Sequence, residues 1–441
     1  MFKRKTPLPK GSKKLIGAWT LYDWANSVYS LVISTAIFPI YYSEYIFANS
    51  DSILLFNMDI NKDTVISLVS ATSFMIVAFL SPLLSGIADY LGNKKTFMKF
   101  FVYMGSFSCI GLYWFELETI QVSLILYILA LIGLWGSLVF YNSYLPDITY
   151  PEQTNIVSAK GFTMGYIGSV ILLIINLIMI TYYEQFNLSS EVQAMKYSFV
   201  LVGLWWLLFS QYSFYHLPRG NKGVKLPKNI IWNGFRELKG VYKIIRSSKK
   251  FTRFLTAFFV FSFSLQTIIF IASYFGVTEI EWSSSSEHWW LQQTTGLIIS
   301  IILIQIIAIV GAILFTKAAE KFGNILVLAI AIASWSIICG YAYFITTPIQ
   351  FYLIAGFVGF LMGGTQTIAR ATYSLFIPES KDTTSFFSFY DVTEKIGIVI
   401  GMVLYGLLAQ ITGNIRFSVL IFMFFFLLGA ILLVRVPKVK I

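Results

Sequence analysis

The feature that most constrains this chain is a long stretch without charge. Residues 322–369 contain no Asp, Glu, Lys or Arg. A helix that crosses a bilayer needs about 20 mostly apolar residues, so this stretch is long enough for two crossings. Pro348 follows two threonines near its middle and predicts a turn there. Because only 12% of the chain is charged, against about 25% in a soluble domain, the sequence predicts a multi-pass membrane protein.

Apolar segments of spanning length recur along the whole chain. We predict an all-α membrane protein with twelve transmembrane helices, called spans 1 to 12, at residues 15–40, 64–88, 97–115, 120–144, 160–183, 197–216, 252–276, 292–316, 324–345, 348–370, 385–410 and 416–435. A basic N-terminus followed by an apolar run is also typical of a signal peptide. The run from Leu15 to Phe47 is too long for one and contains Asp23, so we predict a retained first span.

The loops predict the orientation of the bundle. With the N-terminus in the cytoplasm, the positively charged loops fall on the cytoplasmic side, and Lys62, Lys196 and Arg416 are the exceptions. Both termini are then cytoplasmic, and we expect the bacterial cell (inner) membrane as the location. The net charge of +11 is explained by these loops, so we expect no nucleic acid as a partner.

The longest predicted loop divides the chain into an N-terminal half at 1–216, a cytoplasmic loop at 217–250 and a C-terminal half at 251–441. Within the loop, apolar residues recur at helical spacing and basic residues occupy other faces; the apolar residues are Ile231, Phe235, Leu238, Tyr242 and Ile245. This pattern predicts an amphipathic helix on the anionic inner leaflet. The loop either regulates the protein or binds a partner, or it only tethers the two halves; the sequence leaves both roles open.

The two halves contain similar motifs at nearly equal offsets. Residues 88–93 match 319–324 at an offset of 231, and residues 145–147 match 377–379 at an offset of 232. Ile167-Gly168 and Ile396-Gly397 are 229 residues apart. Parallel repeats of a six-helix unit are the plan of major facilitator transporters, so we predict two six-helix halves in that fold.

Residues 85–95, after span 2, resemble the major facilitator signature between spans 2 and 3. Asp89, Gly92 and Lys94 match that signature, whereas Ser85 and two other positions depart from it. The resemblance implies that this loop, with Lys95, helps to close the cytoplasmic side when the cavity opens outward. The alternative is a positive loop that only orients the chain, which leaves Asp89 unexplained.

Three further motifs resemble the autophagy-related vacuolar effluxer-like family, also called the unknown major facilitator family. They are residues 22–27 in span 1, Leu145-Pro146 after span 4, and residues 386–391 with Lys395 in span 11; Glu394 departs from the family pattern. The resemblance implies a twelve-helix secondary carrier whose cavity is lined by spans 1, 4, 7 and 10. It also implies a link to amino-acid efflux, which is the role of the eukaryotic members.

Span 1 contains a charged residue on a polar stripe. A charge at the centre of a span costs roughly 2.5 kcal/mol or more, so it marks a functional position by default. Asp23 and Ser27 lie one turn apart, and Ser30 and Ser34 continue the same face. With Asn26, they are candidates for binding substrate or coupling ion. The alternative is a buried carboxylate that only fixes helix packing.

Span 11 contains Asp391, Glu394 and Lys395. Asp391 and Lys395 are four residues apart and can pair on one face. Glu394 is predicted near the midplane, where burial favours uptake of a proton and suits proton coupling. A packing cluster that neutralises itself is the alternative. Arg370, at the end of span 10, is a candidate for binding a substrate carboxylate or, equally, a cytoplasmic anchor.

The sequence therefore predicts a secondary transporter of a small polar solute, with amino acids as one candidate and a proton or another ion as the coupling ion. Efflux of lipophilic compounds and a non-transporting scaffold or receptor are the alternatives. We expect no enzymatic activity, no cofactor and no metal, because no catalytic or ligand constellation is visible. Cys109 and Cys339 lie in apolar runs and are predicted to be buried thiols. We expect a monomer in the lipid bilayer.

Overall fold

The computed structural model describes residues 8–47, 52–55, 58–219, 229–282, 292–380, 382–412 and 415–437. Spans 2 to 6 are the helices Lys62–Leu91, Lys94–Gly111, Ile120–Ser143, Thr154–Thr181 and Glu191–His216. A separate helix, the loop helix, covers Ile230–Ser247. Spans 7 to 12 are Lys249–Glu279, Gln293–Phe322, Asn324–Ala342, Pro348–Phe376, Thr383–Thr412 and Ile415–Val434. Two short antiparallel strands, Ser52–Leu55 and Met58–Asn61, lie between spans 1 and 2.

Span 1 is not a uniform α-helix. The α-helix Lys13–Val28 continues into a π-helix at Tyr29–Ile37, and a second π-helix follows at Tyr41–Ile46. The Thr35 hydroxyl donates to the carbonyl of Ser30, five residues earlier, at 2.9 Å. π-Helical turns are uncommon and are often found at functional sites. The change begins six residues after Asp23.

Nine of the described helices are long and apolar enough to cross a membrane. Their surfaces carry exposed large apolar side chains, such as Phe79 and Ile337, each more than 70% exposed. Such surfaces are expected where lipid replaces water around a bundle. Spans 1, 3 and 11 are outside the nine: span 1 changes helix type, span 3 begins with lysines, and span 11 contains the three charges.

The apolar core divides between the two halves. One cluster of buried side chains is drawn from spans 1 to 6, and a second is drawn mainly from the loop helix and spans 7 to 12. The helix of span 6 ends at His216 and that of span 7 begins at Lys249. The division of the chain at residues 216 and 250 remains a prediction.

The halves meet along spans 2 and 11, 4 and 11, 5 and 8, and 5 and 10. The first and last described segments of the chain lie at one end of the bundle, called here the terminal face. The amide of Gly11 donates to the carbonyl of Ile148, after span 4, at 2.8 Å. The Arg253 guanidinium donates to the carbonyl of Arg435, after span 12, at 2.8 Å. The sequence predicts that this face is cytoplasmic.

Candidate functional site

Asp23 and Arg370 form a buried ion pair between the halves, called here the central pair. Arg370 Nη1 lies 3.3 Å from Asp23 Oδ2, and both residues are 4% exposed. Asp23 belongs to span 1 and Arg370 to span 10. This position does not fit the interpretation of Arg370 as a cytoplasmic anchor, because the guanidinium is inserted into the N-terminal half.

The side chains around the central pair, called here the cage, come from spans 4 and 5. The Tyr141 hydroxyl donates to Asp23 Oδ2 at 2.6 Å. Arg370 Nε donates to the Ser158 hydroxyl at 3.1 Å, and Nη2 donates to the Ser158 carbonyl at 2.8 Å. The guanidinium carbon is 3.8 Å from the centre of the Phe162 ring. All guanidinium contacts with polar side chains in this cage therefore come from the opposite half.

A glycine in span 5 makes room for the central pair. A Cβ added at Gly161 would lie 2.5 Å from Asp23 Oδ2 and 2.9 Å from Arg370 Nη2. Span 5 therefore lines this site, together with spans 1, 4 and 10. The family resemblance implied a cavity lined by spans 1, 4, 7 and 10. Asn26 and Ser27 lie on the next turn of span 1, where the Ser27 hydroxyl donates to Asn26 Oδ1 at 3.4 Å.

The three charges of span 11 form a second buried group, the span 11 cluster. Lys395 Nζ lies 3.1 Å from Asp391 Oδ1 and 2.7 Å from Glu394 Oε2. Lys395 is 1% exposed. The structure therefore brings together the pair that the four-residue spacing predicts, and it adds Glu394. With all three groups ionised, the cluster has a net charge of −1.

Neutral partners from three other spans surround the span 11 cluster. The Ser81 hydroxyl of span 2 donates to Asp391 Oδ2 at 3.0 Å. Gln266 of span 7 donates to Glu394 Oε1 at 2.7 Å. The Lys395 ammonium lies 3.7 Å from the centre of the Trp135 ring in span 4. Because Ser81 and Trp135 belong to the N-terminal half, this cluster also joins the halves.

At the terminal face, Asp89 accepts hydrogen bonds from the start of span 11. The backbone amides of Ser385 and Thr384 donate to its carboxylate at 2.6 and 3.3 Å. An acidic group at a helix N-terminus satisfies backbone donors that otherwise have no helical partner. Asp89 therefore contacts the C-terminal half through backbone groups. Sequence reasoning had considered only charge pairing for it.

The other residues of the predicted gating loop divide between the halves. Lys94 pairs with Asp147, and it donates to the Thr383 hydroxyl of the C-terminal half at 3.0 Å. Lys95 donates to the carbonyl of Leu217, the residue after span 6, at 2.7 Å. Gly92 has a φ of +58°, a conformation that side chains other than glycine rarely adopt. Asp89 and Lys94 thus reach across the interface, whereas Gly92 and Lys95 shape the loop.

Sequence reasoning missed a pair of amides that also joins the halves. Asn155 Nδ2 donates to Asn324 Oδ1 at 2.7 Å, and Asn324 Nδ2 donates back to Asn155 Oδ1 at 2.8 Å. Asn324 also donates to the Thr372 hydroxyl at 3.1 Å. The available signal was the repeat, because Asn324 occupies the position that matches Asn93. Within the described ranges, no group of three or more His, Cys, Asp or Glu is placed to hold a metal ion.

A family model and individual relatives both identify proteins that resemble this chain. A family model described as "Vacuole effluxer Atg22 like" matches residues 11–440. The chain is 32% identical over 422 residues to the uncharacterized MFS-type transporter YxiO of Bacillus subtilis (strain 168), covering 96% of this chain and 94% of that protein. It is 28% identical over 313 residues to autophagy-related protein 22 of Vanderwaltozyma polyspora, covering 64% of this chain and 56% of that protein.

Solved structures share the fold. The Major Facilitator Superfamily transporter FucP, solved in the outward conformation, superposes with a TM-score of 0.68 at 14% identity. The match covers 96% of this chain and 98% of that chain. At this level of identity the likeness concerns the fold alone. It confirms the predicted fold class of an all-α membrane protein with two six-helix halves.

Proposed function

Because the chain belongs to the vacuole effluxer Atg22-like family of MFS-type transporters, which is not an enzyme family, we propose that it carries a small zwitterionic solute by alternating access. Among small zwitterionic solutes, we favour amino acids. The two halves would rock about the central pair and expose it to each side in turn. The proposed location is the bacterial cell membrane, with the terminal face in the cytoplasm.

The central pair is the observation that carries this proposal. An amino acid has a carboxylate that can replace Asp23 on Arg370 and an ammonium group that can replace Arg370 on Asp23. An ion pair taken out of water is costly to break unless each charge finds a new partner. A zwitterion supplies both partners at once, whereas a neutral sugar supplies neither. The Tyr141 hydroxyl and the Ser158 carbonyl offer further hydrogen bonds to such a solute.

We propose that the span 11 cluster takes up the coupling proton. Its two carboxylates and one ammonium leave one negative charge uncompensated, and one proton would make the cluster neutral. Because Ser81 and Trp135 contact the cluster from the other half, a change of its charge alters an interface between the halves. This links protonation to the same movement that exposes the central pair.

Uptake into proteoliposomes tests both parts of the proposal. Asp23→Asn and Arg370→Gln are each expected to abolish exchange of a labelled amino-acid mixture. Glu394→Gln is expected to keep solute exchange while losing its dependence on a pH gradient. Glu184→Gln is the matched control, because Glu184 is exposed and lies after the end of span 5, in neither group. Full pH-dependent uptake by an Asp23→Asn, Glu394→Gln double variant would contradict the coupling proposal.

The apolar lining of one cavity bears on efflux of lipophilic compounds, the second candidate. A cavity of about 70 Å³ adjoins Lys395 and is otherwise lined by apolar residues of spans 2 and 11, among them Phe74, Met75 and Ile396. Drug-sized ligands usually occupy cavities of about 300 Å³ or more, so the observed cavity fits a small solute better. Drug sensitivity of a deletion strain without an amino-acid phenotype would favour the second candidate.

A further inference from the structure

The loop helix touches both halves at the terminal face. Near its start it lies against span 2, where a Cβ added at Gly86 would meet the carbonyl oxygen of Gly234 at 2.2 Å. Near its end Ile245 is buried in the core of the C-terminal half. The ring of Tyr242 lies 6.1 Å from that of Phe389 in span 11. An 18-residue helix is about 27 Å long and rigid. It cannot keep both sets of contacts when the halves separate at this face.

Beside its buried face, the loop helix has an arc of exposed apolar residues. Ile231 and Phe235 are 61% and 52% exposed, and because they are four residues apart their side chains lie about 40° apart around the helix axis. Exposed basic residues occupy the adjacent arc; they are Arg236, Lys239, Lys243 and Arg246. Apolar side chains beside a row of positive charge are the pattern of helices that lie in the surface of an anionic bilayer.

We propose that the loop helix binds the anionic surface of the surrounding bilayer and thereby stabilises the state in which the terminal face is closed. The helix is followed at once by span 7, which begins at Lys249, so it lies where the spans leave the membrane. Basic residues near such a surface are attracted to anionic headgroups. Lipid contact then favours the position in which the helix touches spans 2 and 11 together. This inference goes beyond the proposed transport function, and its test requires no substrate.

Distance measurements on the full chain test this inference. Spin labels at Thr96→Cys and Glu320→Cys, both exposed near the terminal face, report separation of the halves once the buried Cys109 and Cys339 are replaced by Ala. The protein is placed in nanodiscs of phosphatidylcholine, with or without phosphatidylglycerol. Each basic residue at an anionic surface is worth about a fivefold change in equilibrium. We therefore expect the population with a long label distance to fall at least fivefold when phosphatidylglycerol is present.

Two sets of variants show whether the loop helix is responsible. Replacing its four basic residues with Gln is expected to remove the effect of phosphatidylglycerol. The matched control replaces three exposed basic residues elsewhere on this face, Lys13, Lys14 and Lys160, and is expected to keep the effect. Phe235→Ser tests the apolar arc separately, with hydrogen exchange of the loop helix as the readout, and is expected to reduce its protection in anionic nanodiscs.

Three results would overturn the inference. One is the same distance distribution in both lipids. Another is a lipid effect that survives in the variant lacking the four basic residues. The third is full reproduction of the effect by soluble glycerol phosphate in phosphatidylcholine nanodiscs, because that outcome indicates a site for free anions and not for a membrane surface.

Discussion

Replacing Asp23 with Asn would leave the Arg370 guanidinium without a carboxylate partner among the described residues. Arg370 would keep its bonds to Ser158 and its 3.4 Å contact with Asn142 Oδ1, which are neutral groups. Removing one partner of a buried ion pair costs about 3–5 kcal/mol, because the remaining charge stays out of water. We expect a loss of that size in the free energy of unfolding.

The reverse change isolates the carboxylate. Arg370→Gln would leave Asp23 with the Tyr141 hydroxyl at 2.6 Å as its neutral donor, and we again expect a loss of about 3–5 kcal/mol. The double variant leaves neither charge unpaired, so it should cost no more than either single change. The resulting coupling free energy is about 3 kcal/mol or more, well above the ~0.5 kcal/mol scatter of independent sites.

Equilibrium unfolding of the four proteins in mixed micelles measures this coupling. The ion pair between Lys196 and Glu116 provides a matched cycle, because the Glu116 side chain is 51% exposed. Exposed pairs contribute about 0–1 kcal/mol, so the control cycle should give a much smaller coupling. A coupling below ~0.5 kcal/mol between Asp23 and Arg370 would refute the argument that the two charges depend on each other in the folded protein.

Three further changes test the terminal face. Gly86→Ala places a Cβ 2.2 Å from a backbone oxygen of the loop helix, so we expect that helix to be displaced and to exchange its amide hydrogens faster. Burial and the nearby Asp382 raise the pKa of Glu237. The Glu237 carboxylate therefore binds a proton more tightly when the loop helix is docked than when it is undocked. Docking should therefore strengthen as the pH falls through that pKa and weaken as it rises, measured by the mobility of a spin label on the helix. Asn155→Ala leaves Asn324 without its reciprocal amide, and we expect a loss of about 1–3 kcal/mol in unfolding experiments.

Each of these predictions has a control and a contradicting result. Gly17→Ala adds a Cβ that meets nothing within 4 Å, and unchanged exchange in Gly86→Ala would contradict the packing argument. Glu237→Gln should abolish the pH response of label mobility, so a response that persists in this variant would assign it to another group. For the amide pair, the Asn155→Ala, Asn324→Ala double variant should cost less than the sum of the single changes, and additivity would contradict the observed pairing.

The helices were predictable because lipid imposes a simple rule on the sequence. Backbone groups that leave water must be paired within the segment, so long apolar runs become helices. The π-helical part of span 1 was not predictable, since serine and threonine residues among apolar ones, as in Tyr29–Ile37, are equally compatible with an α-helix. A change from i+4 to i+5 bonding depends on neighbouring spans, which local propensity does not describe.

The site was predictable in its members but not in its pairings. Charge in an apolar run marked Asp23, Glu394 and Lys395, and four-residue spacing marked the partner of Lys395 within the same helix. Asp23 and Arg370 are 347 residues apart, so no spacing rule connects them. The partners of Asp89 are backbone amides, which every sequence contains and which only the fold selects.

The chemistry of the interface between the halves differs with depth, and this difference constrains how it opens. At the terminal face, amides pair with each other, as in Asn155 and Asn324. Among the described residues, the charges of Asp89 and Lys94 pair across the interface only with neutral backbone amides and a hydroxyl group. Water can replace each of those partners as that face opens, so no solute is needed to separate them. Asp23 and Arg370 are 4% exposed in the centre of the bundle, where an unpaired charge remains costly. If the protein transports as proposed, these two charges separate readily only when a solute supplies a new partner for each of them. A zwitterion is therefore the expected substrate, and a neutral solute is a poor one.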